Sequence, residues 1–330
     1  MKKTKIALGS LSILMGLVAL SGCSSGEKIK IGILQPVDHI ALSSARLGFI
    51  EGLKEKGFGD SKIEIIYRNA GGKSSDITSF AKDLVGRCDM TFGIATGAAQ
   101  SLLSAAIDKG IANPILFSAV TDPVGSNLVK SLENGSGFVT GTSDINPVED
   151  QISLIKECIP AADKVGILYT QTETNSVVQA NMASAELAKE GIECVVKTAT
   201  GPSDISATAS ALASEEGIDA IYIPTDNNIA SNPSAVKAAV QGKGILVVTG
   251  EEALLAGCGS VTLSVNYTEL GKRTGEMAAQ ILNKEKTAGE IPVGFMGKDE
   301  CEYVMCSANA AAAGIELPES VISKCRDLSE

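Results

Sequence analysis

Three groupings in this 330-residue chain carry residue types that can do chemistry. Asp38-His39 sets a carboxylate beside the chain's single histidine, as a general base would require. That work also needs a nucleophile, and the chain has no Gly-x-Ser-x-Gly elbow and no cysteine in a nucleophile signature. The pair therefore reads as a hydrogen-bonded structural or ligand-contact group. Gly72-Lys73-Ser74 matches the end of a phosphate-binding loop, but the glycine required five positions earlier is Tyr67. No dinucleotide turn follows the first strand, which continues into Gln35-Pro36-Val37. The third grouping is the cysteines. They contain no Cys-x-x-Cys, and with one histidine there is no zinc or iron–sulfur spacing, so neither a metal nor a cofactor is expected. The chain does not read as an enzyme.

Binding chemistry is better supplied. Polar residues recur just after short β-branched runs: Gln35, Asp38 and His39; Thr96 and Gln100; Thr121 and Asp122; Thr142, Ser143 and Asp144; Tyr169, Asn175 and Ser176; Thr225, Asp226 and Asn227; Glu251; Asn266 and Tyr267. Ligands of open parallel sheets bind outside the carboxyl ends of the strands, which is where these residues fall. Singly, each also suits a turn or a helix cap, because Ser, Thr, Asp and Asn satisfy nearby backbone groups.

The elements that would position them alternate. Strands are expected at 29–35, 63–69, 90–96 and 114–120, with helices at 43–56, 74–86 and 96–109 between them. A second series follows Asn134-Gly135-Ser136-Gly137, with strands at 164–169, 193–197, 220–224, 245–249 and 261–266 and helices such as 176–190 and 203–214. This α/β alternation predicts two lobes, each a parallel sheet flanked by helices. Leftover elements, a helix at 268–282, a strand-like 301–306 and a helix at 307–313, imply that the chain crosses between lobes more than once. Such crossings make a hinge, with the ligand cleft beside it.

Composition agrees. Hydrophobic residues make up 44% of the chain while aromatics are 4% and tryptophan is absent, so the cores must be built from Ala, Ile, Val, Leu and Gly. The formal charge of −11 would fall to −14 without Lys2, Lys3 and Lys5, which makes nucleic acid an unsuitable partner. Those lysines precede an apolar stretch, 6–20, that ends in Leu20-Ser21-Gly22-Cys23. The pattern predicts a signal peptide over 1–22, too short for a comfortable membrane span. Its ending resembles the lipobox of bacterial lipoproteins, which implies acylation of Cys23, palmitate included, and a tether over 23–27. The protein is then extracytoplasmic and anchored to the cell membrane. Seven cysteines remain, an odd number, and they read as buried thiols.

From Lys30 to about Pro318 the chain resembles the TrpX-like substrate-binding lipoproteins of ABC transporters, which bind tryptophan and other aromatic amino acids. Ile31-Gly32-Ile33-Leu34-Gln35, Thr121-Asp122-Pro123-Val124, Thr140-Gly141-Thr142-Ser143-Asp144 and Pro224-Thr225-Asp226-Asn227 carry the resemblance. It implies a two-lobed, type I periplasmic-binding-protein fold, with lobe 1 over 28–142 plus 268–290 and lobe 2 over 143–267 plus 291–330. It also implies a small-molecule ligand, an ABC permease as partner, and a monomer. By this analogy Asp122, Asp144, Asp226 or Glu251 would meet the ligand's ammonium. Hydroxyls and N–H groups near Ser43, Ser44, Thr96 and Ser143 would meet its carboxylate, and Tyr169 and Tyr267 would wall its ring. Asp226→Ala is expected to weaken binding without disturbing the fold. Cys258-Gly259-Ser260 and the stretch from Cys301 to Cys306 depart from the family pattern. A ligand-sensing lipoprotein for another small solute, such as a nucleobase or amide, is the alternative.

Overall fold

A computed structural model of the chain describes residues 27–329. The signal peptide, Cys23 and nearly all of the tether lie outside the described residues.

The first stretch of chain builds β1 (Ile29–Gln35), α1 (Ile40–Glu55), β2 (Ile63–Asn69), α2 (Ser74–Arg87), β3 (Met90–Ile94), α3 (Thr96–Lys109), β4 (Ile115–Ser118) and β5 (Val139–Ser143). Alternation along β1 sends Ile31 and Ile33 into one core layer and Leu34 into the other, so both sheet faces are buried. The second stretch builds α4 (Val148–Cys158), β6 (Lys164–Thr170), α5 (Thr174–Lys189), β7 (Glu193–Ala199), α6 (Ile205–Leu212) and β8 (Ala220–Ile223). It continues through α7 (Asn227–Ala230), α8 (Pro233–Val240), β9 (Leu246–Thr249), α9 (Glu252–Cys258) and β10 (Val261–Ser264). The tail adds α10 (Tyr267–Leu282), β11 (Gly294–Phe295), β12 (Glu302–Met305), α11 (Ser307–Ala313), α12 (Glu319–Ile322) and β13 (Arg326–Asp327).

Two sheets result, as expected. Their orders are β11-β5-β4-β3-β1-β2 and β13-β12-β10-β9-β8-β6-β7. The first is parallel throughout; in the second, β12 runs antiparallel to β10. The chain passes between the sheets three times, after β5, after β10 and between β11 and β12.

Two sequence expectations need correction. The strand pattern does not predict β5, because Thr140-Gly141-Thr142-Ser143 has no aliphatic run; Gly141 is needed there, since a Cβ would lie 2.1 Å from the Phe117 carbonyl oxygen. Nor does the chain return to lobe 2 at residue 291, because Gly294 and Phe295 pair with Thr142 and Ser143 of the first sheet. The crossing lies beyond Phe295.

Helix α10 belongs to the first lobe through its contact with α1. A Cβ on Gly48 would sit 2.0 Å from the Thr268 carbonyl oxygen, and one on Gly271 2.0 Å from that of Ala45. Glycine at these positions lets the two backbones touch. Beneath them Phe49 and Phe92 stack at 4.0 Å. All seven cysteines of the described residues are free and buried or half-buried.

Candidate functional site

The carboxyl ends of the two sheets face each other across a cavity of about 230 Å³. Pro36, Val37, Ala95, Thr96, Gly97 and Gln100 line it from the first lobe, and Glu173, Asn175, Asn227 and Asn228 from the second. A smaller space of about 80 Å³ shares Thr96 and Asn175 with it and is bordered by Asp122 and Ser126.

Two helices begin at the cavity from opposite sides. The first intrahelical bond of α3 runs from the Ala99 N–H to the Ala95 carbonyl, which leaves the N–H groups of Thr96, Gly97 and Ala98 without a helical acceptor. In α5 the first is Val177 N–H to Glu173 carbonyl. Each helix start carries about half a positive charge, so an anion is favoured between them. Ala95 enters α3 with φ of 69°, and Ala119, just past β4, has φ of 56°. Both conformations cost an alanine energy, and such strain gathers at ligand sites. The Ala95 N–H to Ser118 carbonyl bond, 2.9 Å, holds the first in place.

Glu173 is the acid that lines the cavity. Its carboxylate accepts from the Asn227 N–H at 3.0 Å, from Asn227 Nδ2 at 2.6 Å and from the Asn228 N–H at 2.8 Å. Burial raises its pKa above the usual carboxylate range, and the nearby Asp226 adds to the rise. The residue-after-strand pattern that singled out Tyr169 and Asn175 passed over it, although Glu173 lies three residues beyond β6.

Of the other expected residues, Thr96, Asn175 and Asn227 line the main cavity and Asp122 the smaller one. His39 reaches across the cleft, its Nε2 3.1 Å from Asn227 Oδ1, and burial lowers its pKa. Gln35 and Asp38 brace the loop behind Pro36. Gln35 Nε2 donates to the Val37 carbonyl at 2.9 Å, and Ser43 Oγ donates to Asp38 Oδ1 at 2.9 Å.

Several expected residues are spent on structure. Asp226 is fully buried and caps α7, accepting from the Ile229 N–H at 3.0 Å and from the Thr170 N–H and hydroxyl at 2.6 and 3.0 Å. It therefore ties β8 to β6, so its loss is expected to cost stability as well as any ligand contact. Ser176 Oγ donates to the Thr225 carbonyl and Ser143 Oγ to that of Thr121. The Tyr169 ring packs against the second lobe's core, and the Tyr267 ring is buried with its hydroxyl donating to Asp144 Oδ2 at 2.9 Å. Neither ring is among the residues lining the cavity, because β6 and the start of α10 turn them into the core and the hinge.

Behind the cleft, Asp144 stands in the crossing after β5 and Glu251 in the loop between β9 and α9 of the second lobe. Asp144 also accepts from Thr121 Oγ1 at 3.0 Å, whereas both carboxylate oxygens of Glu251 are buried with no hydrogen-bond partner among the described residues. Burial, and then the charge of Asp144, push the Glu251 carboxyl up to about 8. The departures at Cys258 and at Cys301 to Cys306 fall in α9 and around β12, away from the cavity lining.

Comparison with known proteins adds a consistent set of relatives. The profile of the ABC transporter substrate binding protein family matches residues 30–328. A tyrosine-binding protein of Clostridioides difficile (strain R20291) is 32% identical over 321 residues, covering 92% of this chain and 90% of that protein. The structure of an ABC domain in complex with L-Trp from Streptococcus pneumonia has a TM-score of 0.84 at 33% identity, covering 91% of this chain and 99% of that one. A ligand-free, open substrate binding protein with adhesive properties from Clostridium difficile has the same identity and coverage but a TM-score of 0.68. At equal sequence similarity the lobes are arranged more like the complex than like the open form.

Proposed function

This chain belongs to the ABC transporter substrate binding protein family, and from that premise we propose that it captures an aromatic amino acid between its lobes and delivers it to a membrane permease. The work is done outside the cytoplasm, where such proteins operate. The observation that carries the ligand reading is the cavity shared by both lobes, where the starts of α3 and α5 face each other beside the half-buried Glu173. A zwitterion suits this arrangement. Its carboxylate would sit on the N–H groups of Thr96 to Ala98, its ammonium against Glu173, and its ring along Pro36, Val37 and Ile77.

A ligand held by both lobes favours the closed arrangement by its differential affinity, with no chemistry on the ligand. The L-Trp complex and the tyrosine-binding relative support an aromatic side chain. We further infer that cleavage before Cys23 and its acylation anchor the protein, as a monomer, to the membrane.

The reading is tested by thermal shift of the chain from residue 24 onward against tyrosine, tryptophan, phenylalanine, leucine and a nucleobase. A ligand at a hundredfold excess over its dissociation constant adds about 2.7 kcal/mol of stability. Shifts confined to the aromatic amino acids support the proposal, and a shift with the nucleobase alone would replace it. Palmitate labelling that disappears in Cys23→Ser would support the anchor; labelling that persists would refute it.

A further inference from the structure

A larger groove, about 610 Å³, opens at the opposite pole of the first lobe from the cleft. Ala112 and Pro114 before β4, Phe138 before β5, and Ile281 and Ala288 at and beyond the end of α10 form its apolar lining. Its volume is within the range of about 300–1,000 Å³ that small-molecule sites occupy. Lys284 and Lys286 stand on its rim, exposed and without an ion-pair partner among the described residues. Two acids share the rim and are tied back to their own loop: Glu285 accepts from Asn283 Nδ2 at 3.1 Å and Glu290 from the Thr287 N–H and hydroxyl at 2.8 Å. Ile107, 66% exposed near the end of α3, adds apolar surface at the same pole.

The parallel sheet fixes what this pole faces. All the first-lobe strands start there, including β1 at Ile29, and Pro114 lies two strands away across β3. Two strand spacings are about 10 Å, and the six residue steps from Cys23 to Ile29 span at most about 20 Å. An anchor at Cys23 would therefore hold the groove within about 30 Å of the membrane surface.

We propose that this groove seats an acyl chain of an anionic membrane phospholipid, with Lys284 and Lys286 meeting its phosphate. The proposal rests on the anchored reading for its biological setting, but its test does not use the anchor. The chain has no tryptophan, so a single introduced indole is an unambiguous reporter. In the chain from residue 24 onward, Phe138→Trp and the exposed Ala112→Trp report on the groove. Val196→Trp, at a site 46% exposed on the second lobe, is the reference.

Vesicles of phosphatidylglycerol brominated along the acyl chains should quench the indole at 112 and 138 and leave that at 196 bright. Lys284→Glu with Lys286→Glu should weaken vesicle binding roughly tenfold. No quenching at either groove position, or equal quenching at 196, overturns the proposal. Quenching by brominated phosphatidylcholine that equals that by phosphatidylglycerol and survives both charge reversals overturns the assignment of the lysines. The melting shift with tyrosine or tryptophan, measured on the same variants, reports the cleft separately, so failure of one reading is distinguishable from failure of the other.

Discussion

His39 of the first lobe meets Asn227 of the second, Nε2 to Oδ1 at 3.1 Å, and the bond has a direction. Asn227 Nδ2 donates to Glu173, so its Oδ1 is the end turned to His39, and the imidazole must donate from Nε2. Its Nδ1 is then a buried acceptor without a partner among the described residues. Since burial lowers the His39 pKa, the neutral ring closes the cleft at neutral pH. His39→Ala is expected to favour the open arrangement, raising the radius of gyration in small-angle scattering and weakening ligand several-fold. Unchanged scattering and affinity would show that the latch carries no weight.

Glu173 offers a sharper test of ligand placement. Glu173→Gln removes a carboxyl that burial pushes up to about 7 and that a bound ammonium would hold ionised, while keeping size and one acceptor oxygen. A lost charge-assisted contact corresponds to about 1.5–3 kcal/mol, roughly ten- to a hundredfold in affinity. Calorimetry on an aromatic amino acid and on its decarboxylated amine would check this. Equal affinity in wild type and variant would move the ammonium elsewhere.

Glu251 predicts a pH dependence of stability. Its folded pKa is raised from the ordinary 4.5 to about 8, so the folded chain holds the proton more tightly than the unfolded one. Stability is therefore lost as pH rises through this window, at up to about 1.4 kcal/mol per pH unit for one proton. Asp144, Tyr267, Glu252 and Cys258 face the same group, and Asp144 is shifted in the same direction. Glu251→Gln should raise the melting temperature at pH 8 and change it little at pH 5. A variant equally destabilised at both values would mean that the carboxyl is not protonated in the fold.

Asp226→Ala should unfold the chain more readily, because it strips Thr170 and Ile229 of a shared buried acceptor. Leaving buried donors unsatisfied costs about 1–3 kcal/mol each. Denaturant titration measures this. An unchanged midpoint with weakened ligand binding would return Asp226 to the site.

Gly271→Ala tests the seam between α1 and α10, where the new methyl would lie 2.0 Å from the Ala45 carbonyl oxygen. Overpacking of this kind costs about 1–3 kcal/mol or more. The expected fall in melting temperature should exceed that of Gly97→Ala, whose Cβ would meet nothing within 4 Å. Equal effects would show that the helices can part without cost.

Local pattern was enough for the elements. β1, β2, α3 and α11 lie where period and punctuation put them, since Ile31, Ile33 and Leu34 alternate between core layers and Gly110, with φ of 64°, ends α3. Likewise, parallel strands put the polar loops at one end of each sheet. The sequence by itself thus determined two sheets and a binding rather than catalytic chemistry. Which polar residues face the ligand space was decided only by the tertiary structure. Asp226 and Asn227 are neighbours in the chain, yet one caps a helix inside lobe 2 and the other meets His39 from lobe 1. Glu173 became visible as a site residue only once closure set it opposite α3. The reason is physical: a side chain's tendency to cap, turn or alternate is set within a few residues, whereas burial and charge at a cleft depend on where a second lobe comes to rest.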